Sequence, residues 1–223
     1  MRMSRGIIIV GNESALLSAV EAEAARRAQQ YALALIHNRF TGAEIPPSAL
    51  APSARVLLEW NPGSPISART LVLAAENRIE RIDEAILVCD PPPARCAAAD
   101  MSFADVEVLA SDHVKGWFFL VKELAAAFRA RGEGTLALVY PENAGKDETA
   151  DFPGSAALAV FRSFTRSLLA SALSEPYVTL GFSGGETGDE AGFAAFIIKQ
   201  LDEASRRSSG KLHKYGGKLG IFR

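Results

Sequence analysis

The sequence is short of cysteine, of net charge and of long apolar runs, and each shortage excludes a class of protein. Its 223 residues include two cysteines, Cys89 and Cys96, and their spacing across three prolines fits no metal-binding motif. We therefore expect free thiols in a reducing cytoplasm, without a disulfide framework and without a metal site. The formal net charge of −2 makes no general case for nucleic acid or a membrane as a partner.

The apolar runs are too short for a secretory signal or a membrane span. The first run, residues 7–10, is shorter than the apolar region of a signal peptide, and no later stretch approaches a span. One local excess of charge is present, because residues 206–223 contain six lysines and arginines and no acid. A solvated helix end explains this excess better than a polyanion site. The sequence thus predicts a cytoplasmic protein with no nucleic-acid partner and no membrane partner.

The sequence does contain a regular alternation of short apolar runs and longer helical patterns. Residues 7–10 predict a strand that is buried on both faces, and residues 13–29 predict a helix after a break at Gly11 and Asn12. The further predicted strands are residues 31–36, 55–59, 85–89, 135–140, 177–182 and 211–215. The further predicted helices are residues 67–82, 105–131, 155–173 and 189–206.

This alternation predicts the fold class. Repeated crossovers from strand to helix to strand favour a parallel sheet with helices on both faces. No linker or low-complexity segment divides the chain. Residues 1–223 are therefore predicted to form a single doubly wound, Rossmann-like α/β domain with a parallel sheet of about seven strands.

Four strings of residues, taken in their order and spacing, resemble the short-chain dehydrogenase/reductase family. They lie before, at and after the fifth predicted strand and at the last one, and they are residues 114–124, 132–139, 164–170 and 211–217. The likeness covers nearly the whole chain. It implies a Rossmann fold and, in an ordinary member of the family, oxidoreduction of a carbonyl or an alcohol with NAD or NADP.

The cofactor turn of that family, Thr-Gly-x-x-x-Gly-x-Gly, is mostly replaced here. Gly11 keeps the first glycine, while Ala15 and Leu17 hold the positions of the other two. In such turns the later glycines let the backbone approach a pyrophosphate and let the helix pack close to the strand. We further predict that Asn12 caps the helix and that Glu13 places a carboxylate in its first turn, which opposes phosphate binding there.

Two further positions complete this vestigial cofactor set. Arg39 follows the second strand, where members that prefer NADP place a phosphate-binding arginine, and Asp90 follows the fourth strand. Without the glycines, a solvated or salt-bridged Arg39 and a turn acid at Asp90 are the simpler interpretations. The prediction is that no cofactor binds, with NAD or NADP as the alternative.

The catalytic residues that the resemblance implies are also replaced. The family uses asparagine, serine, tyrosine and lysine, and the corresponding positions hold His113, Pro141, Gly154 and Leu158. Glycine, leucine and proline side chains cannot transfer a proton. A small error of register would not restore the site, because residues 151–170 contain no tyrosine and no lysine. We therefore predict no catalytic residue of the family's type.

An alternative constellation of Tyr140, His113 and Lys115 stays open. All three are predicted near the carboxyl edge of the sheet, where ligands bind in such folds. A packed aromatic at Tyr140 and a helix-surface residue at His113 are the simpler interpretations. The leading hypothesis is a degenerate protein that acts as a structural or regulatory subunit. An atypical oxidoreductase and a non-catalytic nucleotide sensor are the two rivals.

The resemblance also implies a homo-oligomer, either a dimer or a tetramer, paired through the helices at residues 105–131 and 155–173. The second helix carries a stripe of small residues that would allow a partner helix to approach closely. These residues are Ala156, Ala159, Ser163, Ser167 and Ala170. A monomer with an alanine-rich surface helix is the alternative.

Overall fold

The structure of the chain is a computed structural model that describes residues 5–28, 30–36, 55–91, 97–142, 152–184 and 188–216. Arg39 and Cys96 lie outside these ranges. The strands are β1 (Ile7–Asn12), β2 (Tyr31–Ile36), β3 (Arg55–Leu58), β4 (Glu84–Val88), β5 (Thr135–Pro141), β6 (Val178–Gly184) and β7 (Leu212–Tyr215). The helices are α1 (Ala15–Ala25), α2 (Pro65–Ile79), α3 (Phe103–Ala110), α4 (Gly116–Arg131), α5 (Phe152–Ser171) and α6 (Glu190–Asp202).

The seven strands form one sheet in the order β3-β2-β1-β4-β5-β6-β7, and every neighbouring pair is parallel. The chain runs outward from β1 to one edge, then crosses to β4 and runs outward to the other edge. One buried cluster packs α1 and α6 on one face, and a second packs α2, α4 and α5 on the opposite face. The prediction of a doubly wound parallel sheet of about seven strands is confirmed.

The strand β1 shows why this sheet needs a layer of helices on each face. All six of its residues are buried. Ile7 and Ile9 belong to the cluster with α1 and α6, whereas Ile8 and Val10 belong to the other cluster. Alternate side chains of a strand point to opposite faces, so a continuous apolar run must be covered on both. Because all strands are parallel, their carboxyl ends and the starts of the following helices share one edge.

Several element boundaries differ from the prediction, three of them with structural consequences. β1 continues through Asn12, which still pairs with Ile36 of β2. The helix predicted over residues 105–131 is two helices, α3 and α4, joined by a π-helical turn at Ser111–Lys115. The last helix ends at Asp202, because a separate 3-10 turn at Arg206–Ser208 begins with its own serine capping box.

The helix α5, together with the 3-10 turn that follows it, is long and apolar enough to cross a membrane by length and composition. Within the ranges given above it is the one helix that meets this criterion. Its buried face carries Leu158 and Phe161 into the cluster between the helices and the sheet. A core helix meets the same criterion of length and composition.

Candidate functional site

The first turn of α1 is capped by Ser14 and not by Asn12. The Leu17 amide donates to Ser14 Oγ at 3.1 Å. Asn12 is instead the last residue of β1 and is buried, and its Oδ1 has no hydrogen-bond partner among the described residues. Glu13 is exposed and precedes the cap, so it adds no carboxylate to the first turn. The predictions for Asn12 and Glu13 were therefore wrong, because the strand is two residues longer than its apolar run.

Gly11 is required here by packing. A Cβ at this position would lie 2.5 Å from the carbonyl oxygen of Val88 and 3.0 Å from Leu17 Cδ1. Leu17 itself is buried in the cluster between α1, α6 and the sheet. The Leu17 side chain thus fills the space that a glycine at position 17 would leave between helix and strand.

Asp90 is the residue that decides the electrostatics at this helix start. It is half-buried after β4, and burial raises the pKa of its carboxyl group above the usual value. A hydrogen bond with the Ser14 side chain opposes that shift, and the nearby Glu190 carboxylate adds to it. Two acidic side chains therefore lie close to the α1 N-terminus. Such a helix start would otherwise attract a phosphate. The residues present do not fit the pyrophosphate of a dinucleotide.

The positions that correspond to the family's asparagine, tyrosine and lysine are all buried. His113 lies in the π turn, and burial lowers its pKa to about 4. Its Nδ1 has no hydrogen-bond partner among the described residues. Gly154 and Leu158 lie on the buried face of α5. The interpretation of His113 as a helix-surface residue was wrong, because the π turn directs this side chain into the core.

Tyr140, His113 and Lys115 do not form a constellation. Lys115 is exposed and its Nζ pairs with Glu107 at 2.9 Å. Tyr140 is buried, and its ring meets Phe161 edge-on with 6.3 Å between the centroids. Within the part of the chain that the structure describes, no hydrogen bond or ion pair joins any two of the three.

Tyr140 instead belongs to a set of side chains that we call the β5–β7 polar cluster: Tyr140, Glu142, Arg162, Ser183 and Lys214. Tyr140, Ser183 and Lys214 are in register on β5, β6 and β7. A single oxygen of Glu142, Oε1, accepts from Ser183 Oγ at 3.0 Å and pairs with Lys214 Nζ at 3.1 Å. The hydrogen bond from Lys214 is the main cause that lowers the pKa of Glu142.

Arg162 joins this cluster from α5. Its Nη2 donates to the carbonyl oxygen of Pro141 at 2.8 Å and also to that of Glu142. The guanidinium carbon lies 5.7 Å from the ring centroid of Tyr140. Sequence reasoning missed this cluster, although one signal was present. Tyr140, Ser183 and Lys214 each lie near the carboxyl end of a strand, and parallel pairing brings such residues side by side.

A reactive thiol and a metal site are two further kinds of candidate group. Cys89 is a free, fully buried thiol, and burial raises its pKa. Among the residues that the structure describes, no three histidine, cysteine or acidic side chains are placed to hold a metal ion.

Comparison with known proteins supports the fold. No family model matches the sequence, and no curated protein matches it. Solved structures do match. A short-chain dehydrogenase/reductase of the glucose/ribitol dehydrogenase type from Brucella melitensis shares 18% identity at a TM-score of 0.73, over 98% of this chain and 97% of that one. Levodione reductase shares 15% identity at a TM-score of 0.72, over 98% of each chain.

A third similar structure is that of an NADH-dependent reductase complexed with NAD. It shares 14% identity at a TM-score of 0.70, over 96% of each chain. Identities at this level establish the fold, and they leave the activity to be argued from the residues. The resemblance seen in the sequence is confirmed at this level: the chain has the fold of the short-chain dehydrogenases/reductases.

Proposed function

We propose that this protein is a degenerate short-chain dehydrogenase-like protein without the family's oxidoreductase activity, acting as a structural or regulatory subunit in the cytoplasm. One observation carries the proposal. Gly154 and Leu158, which hold the positions of the family's tyrosine and lysine, lie one turn apart on the buried face of α5. Neither side chain can donate or accept a proton, and neither can hold a ribose hydroxyl.

The other two catalytic positions support the same conclusion. Pro141 offers only its backbone carbonyl, which already accepts from Arg162. His113 has a pKa of about 4 and is therefore neutral near pH 7, within a buried turn. No group at the four positions can take the role of an acid at neutral pH.

Weak or absent dinucleotide binding is the second part of the proposal. A pyrophosphate at the start of α1 would approach the carboxylates of Asp90 and Glu190. Each like-charge contact near a surface costs on the order of one kcal/mol, and about 1.4 kcal/mol corresponds to a tenfold loss of affinity. Two such contacts would weaken a micromolar site about thirtyfold. The side chains of Ala15 and Leu17, where the family's turn has glycines, remove further affinity and shift the site toward the millimolar range.

The test is a titration with NADH and NADPH, followed by thermal unfolding. At about 1 mM of either cofactor we expect almost no stabilisation, whereas a ligand at a hundred times its dissociation constant would add about 2.7 kcal/mol. Asp90→Asn combined with Glu190→Gln should recover part of the binding. Glu203→Gln, an exposed change at the far end of α6, is the matched control and should recover none.

Two results would contradict the proposal and favour its rivals. A wild-type protein that retains NAD or NADP through purification would indicate a nucleotide sensor. Reduction of a carbonyl substrate by NADH or NADPH, abolished by Tyr140→Phe, would indicate an atypical oxidoreductase.

We also propose that the protein is a homo-oligomer through α3, α4 and α5. Eight large apolar side chains are exposed in the described ranges, and five of them lie on these helices and the turn after α5. They are Phe103, Val106, Phe118, Phe152 and Leu173. Four residues of the small stripe, Ala159, Ser163, Ser167 and Ala170, are exposed on the same helix α5. Exposed apolar side chains on neighbouring helices favour burial against another helix pair.

A further inference from the structure

The β5–β7 polar cluster contains more positive charge than its own acid can neutralise. Its members Arg162 and Lys214 are cationic, and Arg166 follows Arg162 by one turn of α5. The charges of Arg162, Arg166 and Lys214 all act on the Tyr140 hydroxyl, where they oppose the burial that raises its pKa. Glu142 is the one acid of the cluster that acts on the same hydroxyl.

Neither arginine forms a salt bridge in the part of the chain that the structure describes, although the charge of Arg162 acts on Glu142. Lys214 pairs with Glu142, whereas Arg162 contacts backbone carbonyls and Arg166 is exposed. The Nε of Arg162 is buried and finds no acceptor among the described residues. A buried N–H group without an acceptor is costly, and an anionic ligand would satisfy it. Among the described residues, the cluster together with Arg166 thus has three positive charges and one negative charge, beside the hydroxyl groups of Tyr140 and Ser183.

We propose that the β5–β7 polar cluster, together with Arg166, binds a small dianion that carries a carboxylate or phosphate group. The two guanidinium groups match two negative charges, and charge-assisted hydrogen bonds to such groups are among the strongest in proteins. The hydroxyls of Tyr140 and Ser183 supply further donors at the same edge. The start of α1 lies at β1 and β4, whereas this cluster lies at β5 to β7.

Glu142 has a specific role in this proposal. Its carboxylate already occupies part of the site, held by Ser183 Oγ and Lys214 Nζ through one oxygen. A ligand carboxylate or phosphate that takes these two contacts must displace the Glu142 side chain. Glu142 therefore acts as an internal competitor, and its removal should tighten binding of the external anion.

The experiment is calorimetric titration with succinate and, separately, with inorganic phosphate, at constant ionic strength set by sodium chloride. We expect at least one of the two to bind, and the comparison identifies the preferred group. Arg166→Gln should weaken binding about tenfold, which is the effect of losing one charge-assisted hydrogen bond. Glu142→Gln should tighten it by a similar factor. Lys122→Gln, an exposed lysine on α4 paired with Glu123, is the matched control and should change nothing.

Three outcomes would overturn the proposal. The first is that neither anion binds the wild type or the folded Glu142→Gln protein at about 10 mM. This concentration is about ten times the dissociation constant of a site with a binding free energy of about 4 kcal/mol. The second is binding that is unchanged by Arg166→Gln and by Lys214→Gln. The third is equal weakening by Lys122→Gln, which would indicate a general effect of net charge. Circular dichroism of each variant verifies that it is folded.

Discussion

At the scale of single residues, His113 combines burial with an ionisable ring. Its pKa in the folded protein is about 4, against 6.5 for an unperturbed histidine, and burial is the cause. The unfolded chain therefore binds more protons than the folded chain between pH 6.5 and pH 4. The contribution of this residue to stability is complete above pH 6.5 and is lost as the pH falls toward 4.

The corresponding prediction is a loss of about 2 kcal/mol from the free energy of unfolding between pH 7.5 and pH 5 that is due to this one residue. Urea denaturation of the wild type and of His113→Gln at both pH values measures it. On acidification from pH 7.5 to pH 5, the free energy of unfolding of the variant should fall by about 2 kcal/mol less than that of the wild type. Equal pH dependence of the two proteins would show that the ring is not buried as described.

Glu80 ends α2 in a backbone conformation that favours glycine. Its φ of 66° is the one positive value at a non-glycine residue in the described ranges. A side chain in this region of backbone space costs about 1 kcal/mol relative to glycine. Glu80→Gly should therefore stabilise the protein by about 1 kcal/mol in urea denaturation. Arg78→Gly, two residues earlier inside the same helix, should destabilise it by about the same amount. Destabilisation by both changes would contradict the strain at Glu80.

At the scale of elements, β3 is held at the edge of the sheet by a buried charge pair. Arg55 donates through Nε and Nη2 to the two oxygens of Glu21 on α1, at 2.5 and 2.7 Å. Tyr31 of β2 donates its hydroxyl to the same carboxylate at 2.7 Å, and burial is the main cause that raises its pKa to about 12. One carboxylate thus ties α1, β2 and β3 together.

Removing the guanidinium should leave the Glu21 carboxylate buried without its cation. Arg55→Met is expected to cost about 3 kcal/mol in the free energy of unfolding. Tyr31→Phe removes one hydrogen bond to a charged group and should cost about 2 kcal/mol. The double variant Arg55→Met with Glu21→Gln should recover part of the first loss. A double variant that is no more stable than Arg55→Met would show that the pair contributes no coupling.

Sequence reasoning predicted the elements well because most strands contain a compact apolar run; β7, Leu212–Tyr215, is the exception. It failed where a boundary depends on pairing with a distant strand. Asn12 reads locally as a helix cap, yet its pairing with Ile36 keeps it in β1 and moves the cap to Ser14. The π turn at His113 was also missed, because one extra residue in a helix leaves the apolar period almost unchanged.

At the site, the sequence predicted only the replacements of the family's residues. The replacements at Gly154, Leu158, Ala15 and Leu17 follow from position alone, and the structure shows that Leu17 belongs to the core. The β5–β7 polar cluster was missed, because Tyr140, Ser183 and Lys214 are far apart along the chain and meet only through strand register. Asp90 was named as a turn acid, but its contact with Ser14 needs the loop geometry.

At the scale of the whole molecule, the proposed assembly makes a mass prediction. Phe118 is half-exposed on α4 and its ring packs against that of Phe164 at 4.7 Å, beside the small stripe of α5. We expect light scattering at tens of micromolar to give the mass of a dimer or tetramer, because these helices expose large apolar side chains that a partner would bury. Ala159→Glu should shift the mass to that of the monomer, whereas Ala22→Glu on the exposed face of α1 should not. A monomer mass for the wild type would contradict the assembly.

The strand order has a consequence for how the chain folds during synthesis. β1 pairs with both β2 and β4, so one of its edges stays unpaired until β4, which ends at Val88, has been synthesised. After that, β5 is the unpaired edge until β6 is made, and β6 is the unpaired edge until β7 is made. Open edges of apolar strands recruit other chains. The temporary edges β5 and β6 have seven residues each, whereas the permanent edges β3 and β7 have four. The danger of misassembly is thus greatest before the last helix and strand emerge, and an interrupted chain that ends after β6 should aggregate far more readily than the finished one.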